Sequence, residues 1–217
     1  MCIRDSRRTA GYVFSVPEDF AANSLQGRSL VAGFKAAPTT TGRSFGPPFF
    51  AYEPPGEAPI GERLDFAQIA VFPDPDRALE GFGVADTAAG ATWITTDDGV
   101  SAVMTVGHRG LGEVFQGEPR EQDCGINTSI HAGPYEPLIM FFDPLDLARA
   151  AAGEIEPWQL APYQTWDPSE HLIPTCEWRL SSVSFDAGSG RIYVVQVGVQ
   201  PPDNEFVVVP VIHVFEL

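Results

Sequence analysis

The stretch that decides the fold class covers residues 92–107 and reads TWITTDDGVSAVMTVG. It contains two runs of apolar and β-branched residues, which Asp97, Asp98 and Gly99 separate. An Asp-Gly pair between two such runs is typical of the tight turn of a β-hairpin. The same order returns later in the chain, where residues 181–185 and 191–199 flank the sequence DAGSG. The turn chemistry therefore predicts two antiparallel hairpins.

Short strand signals continue on both sides of these hairpins, and turns rich in Gly, Pro and Asp separate them. Residues 138–142 are apolar on both faces, which is typical of a strand that is covered on both sides. Pro210 interrupts the last run, which indicates an edge strand or a bulge. Further strands are predicted at residues 12–16, 29–34, 49–52, 66–72, 113–116 and 206–215. About ten short strands joined by turns predict an all-β protein built as a sandwich, a barrel or a propeller.

One short helix is predicted at residues 144–152, between two strands. Asp143 is a good N-cap residue, and Pro144 occupies the first helical position, where a missing N–H costs nothing. Asp146 lies near the positive end of the helix dipole, which favours an acidic side chain. Gly153 is the natural stop, because glycine adopts the left-handed conformation that ends many helices.

The charge balance excludes several classes of partner. The 217 residues contain 13 Lys and Arg against 29 Asp and Glu, which gives a formal net charge of −16. A surface with this negative charge repels nucleic acid and anionic membranes. Neither is therefore an expected partner. The hydrophobic fraction of 44% is too high for a disordered chain. No apolar run reaches the length of about 18 residues that a transmembrane helix needs, so membrane insertion is not expected.

The sequence predicts a single domain over residues 9–217, and the first eight residues are assigned to a segment outside it. Residues 1–6, MCIRDS, resemble translated adapter sequence that contaminates some metagenomic gene calls. In that interpretation the chain is a fragment, and a signal peptide has been lost with the true start. The alternative is an ordinary disordered N-terminus.

Cysteine usage gives a second indication of export. Without Cys2 the chain keeps one pair, Cys124 and Cys176, and each lies in a stretch rich in turn residues. A disulfide between them would suit a secreted or periplasmic protein. The alternative is two free, buried thiols, because sequence spacing does not establish contact. Neither cysteine has the C-x-x-C spacing of a zinc site, so the cysteines predict no metal site.

Two stretches resemble one family. Residues 141–148, FFDPLDLA, followed by Gly153 and by YQTW at 163–166, resemble a segment that is common in secreted bacterial β-propeller-like proteins of unknown function. The final stretch, with FDAGSGRIYVVQ at 185–196 and PVIHVF at 210–215, is similar to their last blade. The resemblance implies an all-β fold: an incomplete β-propeller of about three irregular four-stranded blades with one short inserted helix. It implies no reaction, and the loop with Cys124 and Asn127 has no counterpart in that family.

The densest polar motif is Gly-His-Arg-Gly at residues 107–110, directly after a predicted strand. The end of a strand often lines the mouth of a propeller. Arg109 is therefore a candidate contact for an anion or a carbohydrate, and His108 is a candidate acid, base or metal ligand. The alternative is a structural turn in which Arg109 pairs with an acidic side chain.

A second candidate is the long loop NTSIHAGPYE at residues 127–136. Its Asn127, His131 and Tyr135 are residue types that bind sugars or metals, and long loops without apolar periodicity often carry function. Asn and Thr are also ordinary turn formers. Trp178 lies between two charged residues and is a candidate platform for a sugar ring, or else an ordinary core aromatic.

Together these residues favour a non-catalytic, exported module that binds a carbohydrate, a peptide or a protein partner. The alternative is a hydrolase or lyase in which His108 and His131 act with nearby carboxylates, with or without a metal. Sequence signatures such as H-E-x-x-H and the P-loop are absent. No cofactor is predicted. Calcium is the one ion considered, because Asp74 and Asp76 or Asp97 and Asp98 offer oxygen ligands, although the EF-hand spacing is missing.

Overall fold

Three antiparallel sheets account for all eleven strands in the computed structural model, which describes residues 11–34, 44–54, 65–124, 130–200 and 208–217. The first sheet contains β1 (Tyr12–Ser15), β2 (Leu30–Gly33), β3 (Phe49–Tyr52) and β4 (Phe66–Ala70). The second contains β5 (Thr87–Thr95), β6 (Ser101–Gly110), β7 (Tyr135–Phe142) and β8 (Gln164–Trp166). The third contains β9 (Leu180–Asp186), β10 (Arg191–Val199) and β11 (Val209–Glu216). In each sheet the spatial order of the strands follows the order of the chain.

Both predicted hairpins are present. Strands β5 and β6 pair from Thr95 and Ser101 onward, and the backbone N–H of Thr96 donates to the Val100 carbonyl at 2.9 Å to close the turn. Strands β9 and β10 pair from Asp186 and Arg191 onward. The all-β class is therefore confirmed.

The helices differ in part from the expectation. Helix α2 (Pro144–Ala151) begins as predicted, with the Asp143 carboxylate accepting the backbone N–H of Leu145 at 2.8 Å. Helix α1 (Glu18–Ser24) was not predicted, because a single residue of its seven, Ala21, is buried and so its apolar periodicity is weak. The strand expected at residues 113–116 is reduced to an isolated bridge between Phe115 and His131.

The second sheet is the central layer. Its face with Val103, Met140 and Phe142 packs on the first sheet, and the Phe142 ring meets the Phe49 ring edge-on at 5.4 Å between centroids. Its opposite face, with Met104 and Ile139, packs on residues of the third sheet that include Ile192 and Val194. Because strand side chains alternate between faces, consecutive residues of β6 and β7 enter two different cores.

The first strand of each sheet lies toward the same side of the molecule, with β5 beside both β1 and β9. Gly90 of β5 allows the close approach to β9, because a Cβ atom there would lie 2.7 Å from the Ser182 Cα atom. Meandering sheets that stack face to face with their first strands adjacent are typical of propeller blades. Two sheets have four strands and the third has three, and across the described ranges they form a row that shows no closed ring.

Candidate functional site

Most of the predicted site residues lie at one end of the second sheet, which we call the loop end. Here β5 begins at Thr87, β6 finishes at Gly110 and β7 begins at Tyr135, because the three strands are antiparallel neighbours. The segment between β6 and β7 and the segment before β9 meet at this end. His108, Arg109, His131, Tyr135 and Trp178 all belong to these strand ends and connections.

His108 is almost fully buried, with 7% of its surface exposed. Its backbone N–H donates to the Thr87 hydroxyl at 3.2 Å, and its ring meets the Tyr135 ring edge-on at 5.5 Å between centroids. The Tyr135 hydroxyl accepts the backbone N–H of Ala132 at 3.3 Å. Burial raises the pKa of Tyr135. The structure thus brings His108 and Tyr135 together as a packed pair of rings.

Arg109 is paired with an acid on the neighbouring strand. It stands opposite Glu136 in the β6–β7 ladder, and its Nε donates to the Glu136 carboxylate at 2.9 Å while Nη2 makes a second bond to the same oxygen. Both side chains are partly exposed. The acidic partner agrees with the alternative that the sequence offered for Arg109, but the turn expected at residues 107–110 is absent, because β6 continues to Gly110.

Asp86 is a functional candidate that the sequence did not single out. It is 2% exposed, and its two carboxylate oxygens accept the backbone N–H groups of Gly83 at 2.7 Å and Gly110 at 2.9 Å. Burial raises the pKa of Asp86 to about 6, against the lowering effect of these two hydrogen bonds and of nearby Arg109. Buried carboxyl groups with shifted pKa values often mark functional sites, although structural networks produce them too.

His131 belongs to the connection between β6 and β7 and is fully buried. Its Nε2 lies 3.1 Å from the Gly117 carbonyl oxygen, and its ring lies 5.2 Å from the Phe115 ring. Its Nδ1 has no hydrogen-bond partner among the described residues. The hydrogen bond and the ring contact hold the imidazole within the loop.

Asp123 and a disulfide brace the same connection. Asp123 is fully buried, and its carboxylate accepts the backbone N–H groups of Arg120 at 2.7 Å and Gly133 at 2.8 Å. The sulfur atoms of Cys124 and Cys176 lie 2.03 Å apart, at disulfide distance, with 5.6 Å between the Cα atoms. The connection between β6 and β7 is therefore tied to the segment that leads into the third sheet.

Trp178 and Asn127 complete the predicted set. Trp178 has a positive φ of 49° and packs beside the core between the second and third sheets, and its backbone N–H donates to the Thr175 hydroxyl at 3.1 Å. Asn127 lies outside the described residues.

A cleft of about 530 Å³ lies away from the loop end, along the first strands of the three sheets. It is lined by residues 13–17 at β1, by residues 91–93 and 95 in β5, and by residues 183–185 and 187 at β9. The lining combines the hydroxyl groups of Ser15, Thr92, Thr95 and Ser184 with apolar side chains that include Trp93 and Phe185, and it contains no charged residue. The Trp93 indole N–H donates to the Thr95 hydroxyl at 3.0 Å, and its ring lies 4.8 Å from the Phe20 ring.

Sequence reasoning missed this cleft. Trp93 and Phe185 appeared in the sequence as parts of two hairpins, with no sign that the hairpins share a surface. The available signal was the repeated hairpin pattern itself, because β5 and β9, which begin the two hairpins, lie side by side in the structure.

The described residues give no indication of a metal site or a membrane helix. Within these ranges, no group of three or more His, Cys, Asp and Glu side chains is arranged to hold a metal ion. Neither described α-helix has the length and apolar character that crossing a bilayer requires.

Comparison with known proteins gives no match. No family model fits the chain, and no curated protein or solved structure matches it significantly.

Proposed function

We propose that this chain is a non-catalytic, exported binding module of β-propeller type, and that its cleft binds an extended, uncharged segment of a peptide or protein partner. The observation that carries the proposal is the convergence of β1, β5 and β9 around one cleft without charged side chains.

The position of the three strands suits a peptide. Each is the terminal strand of its sheet, so each has one backbone edge that no strand of its own sheet occupies. Such edges bind extended chains through main-chain hydrogen bonds, while neighbouring pockets select side chains. Ser15, Thr95 and Ser184 add hydroxyl groups that can donate and accept.

The lining also selects against charge. The chain carries a net charge of −16, yet the cleft contains only hydroxyl-bearing, aliphatic and aromatic residues and proline. A charged ligand would lose hydration there without gaining a partner. A neutral segment with apolar and hydroxyl side chains loses little hydration free energy, and it gains contact with Trp93 and Phe185.

The loop end supports the non-catalytic part of the proposal. A general base must reach its substrate. His131 is fully buried and hydrogen-bonded to Gly117, while His108 is packed against Tyr135. Arg109 is engaged by Glu136.

Export is proposed from the cysteine pair. Disulfides persist in oxidising compartments, so Cys124 and Cys176 at bonding distance fit a secreted or periplasmic location.

The test begins with binding screens of peptide and oligosaccharide libraries, followed by calorimetry on the best ligand. Ser15 is exposed and lines the cleft, so Ser15→Arg should abolish binding without disturbing the core. Thr165→Arg, on the exposed surface of β8, is the matched control and should bind as the wild type does. Equal binding by both variants would place the site elsewhere. A chain that binds only oligosaccharides would be a carbohydrate-binding module.

One observation favours the second candidate, a hydrolase or lyase at the loop end. Asp86 has a pKa of about 6 beside the Arg109–Glu136 pair, which is a suitable range for acid–base work. Its carboxyl group, however, is 2% exposed and reaches a substrate only if the loop end opens. A hydrolase and lyase substrate screen tests it. Any turnover should fall at least about a hundredfold in Asp86→Asn, whereas turnover that survives this change would reject the assignment.

A further inference from the structure

The register of the β1–β2 ladder fixes which backbone groups of β1 point away from its sheet. The Val16 N–H donates to the Ser29 carbonyl at 3.0 Å, in the same register as the rest of the ladder. Along an antiparallel ladder, pairs that exchange hydrogen bonds alternate with pairs that do not. Phe14 and Val16 therefore bond to β2. The N–H and C=O groups of Val13 and Ser15 point instead to the other edge of β1, which we call the free edge.

The free edge opens onto the cleft. Among the described residues, no backbone hydrogen bond joins Val13 or Ser15 to another element. Both residues line the cleft, and both are exposed, Val13 to 65%. Two N–H groups and two carbonyl groups, spaced about 7 Å apart along the strand, are therefore available to a ligand there.

The other two first strands offer less accessible backbone. The Thr96 N–H donates to the Val100 carbonyl, so the same alternation turns the backbone of Ala91 away from β6. Ala91 is only 3% exposed, however, because β5 packs beside both β1 and β9. In β9 the cleft residues Val183 and Phe185 are partly buried and pack against the core between the second and third sheets. The edge of β1 is therefore the one that a further chain reaches most easily.

Strand β1 also lacks the features that protect many exposed edge strands. Natural sheets guard such edges with charged side chains, proline or a bulge, because an open edge pairs with other chains. Strand β11, at the edge of the third sheet, has Pro210, Glu216 and a register shift in its ladder. Residues 12–15, YVFS, contain no charge and no proline, and their register with β2 is regular. The free edge is therefore competent to pair.

We propose that the uncharged segment of the partner binds as an added strand on β1 and exchanges main-chain hydrogen bonds with Val13 and Ser15. This inference rests on the proposed function and specifies how the partner is held. Main-chain bonding requires a free N–H at two positions of the segment that are two residues apart, and every second side chain then faces the cleft. The partner class is thus an extended segment without proline at the two bonded positions and without charge at those that face the cleft.

Hydrogen exchange of the free chain tests the edge itself. The Val13 and Ser15 amides should exchange at least about a hundredfold faster than the Phe14 amide, which bonds to β2. NMR measures each amide separately. Slow exchange at Val13 and Ser15 would show that the edge is already paired, and the proposal would then fall before any ligand is added.

The tightest uncharged peptide from the library screen is the probe for the bound state. When it is added, exchange of the Val13 and Ser15 amides should slow at least about tenfold, while the Phe14 amide should not change. N-methylation of single peptide residues should weaken binding roughly tenfold at two positions that are two residues apart, because each change removes one main-chain hydrogen bond. Methylation of the residue between them should have little effect.

A pair of variants tests the same bond from the side of the protein. Ser15→Pro removes an N–H from the free edge and spares the β1–β2 ladder, whereas Ser15→Ala loses only the hydroxyl group. The proline variant should therefore bind the peptide roughly tenfold more weakly than the alanine variant, and circular dichroism confirms that both are folded. A library without any binding peptide would reject the proposed function and this inference together. A peptide that Ser15→Arg excludes, but that leaves the Val13 and Ser15 amides unprotected, would reject strand addition alone.

Discussion

The backbone of Gly90 in β5 lies directly against Ser182 in β9. A Cβ atom on Gly90 would be 2.7 Å from the Ser182 Cα atom and 2.9 Å from the Val183 nitrogen. Both obstacles are backbone atoms, which have no rotamer with which to move aside. The distance between the second and third sheets near the cleft is therefore set by the absence of a side chain at position 90.

Gly90→Ala should destabilise the protein by about 1–3 kcal/mol, because the added methyl group forces the two strands apart. Denaturant unfolding measures this change. Gly83→Ala is the control, since a Cβ atom at Gly83 would lie at ordinary contact distance, 3.6 Å, from the Asp86 carboxylate. Equal stability of the two variants would show that β5 and β9 have room to separate.

The sequence predicts the parts of this fold that depend on residues close together in the chain. The Asp97-Asp98-Gly99 turn and the cap at Asp143 are local features, and both were predicted. The surface of the cleft is not local, because Val13, Trp93 and Phe185 meet only after three sheets have stacked. The burial of His131 depends on a bridge to Phe115 and a hydrogen bond to Gly117, and loop composition does not reveal such contacts.

The Cys124–Cys176 pair closes a loop across 52 positions of sequence. Removing that closure in a Cys124→Ser/Cys176→Ser variant should cost roughly 4 kcal/mol, mainly through the greater entropy of the unfolded chain. Thermal and denaturant unfolding measure the loss. Cys2→Ser is the matched control and should keep the linkage. Peptide mapping without reductant should recover Cys124 and Cys176 in one linked fragment, and two free thiols would contradict the assignment.

Asp123 holds two distant points of one connection together through its buried carboxylate. Asp123→Ala leaves the Arg120 and Gly133 N–H groups without their acceptor, at a cost of about 2–4 kcal/mol. Asp123→Asn keeps one acceptor oxygen and should lose about half as much. Hydrogen exchange gives a site-specific measurement, because the Gly133 amide should exchange faster in the alanine variant. Unchanged exchange at Gly133 would show that other contacts brace the loop.

Asp86 should make stability fall as pH rises. Burial raises its pKa from 3.8 to about 6, so between these values the folded chain holds a proton that the unfolded chain has released. The stabilising contribution is complete below about pH 4 and is lost as pH rises through 6. Asp86→Asn cannot ionise, so relative to the wild type it should gain about 2 kcal/mol between pH 4.5 and pH 7.5.

At each pH, the stability of Asp86→Asn is compared with that of the wild type, so the effects of the other titrating groups cancel. Any cost of the asparagine amide that does not depend on pH cancels when the differences at the two pH values are subtracted. Denaturant unfolding at the two pH values gives the difference, and carboxyl NMR should show the wild-type Asp86 titrating near 6. A stability difference that is the same at both pH values, together with a titration near 4, would mean that the Gly83 and Gly110 amides outweigh burial. Asp86 would then carry its charge throughout the neutral range, and the acid–base argument for the loop end would fall with it.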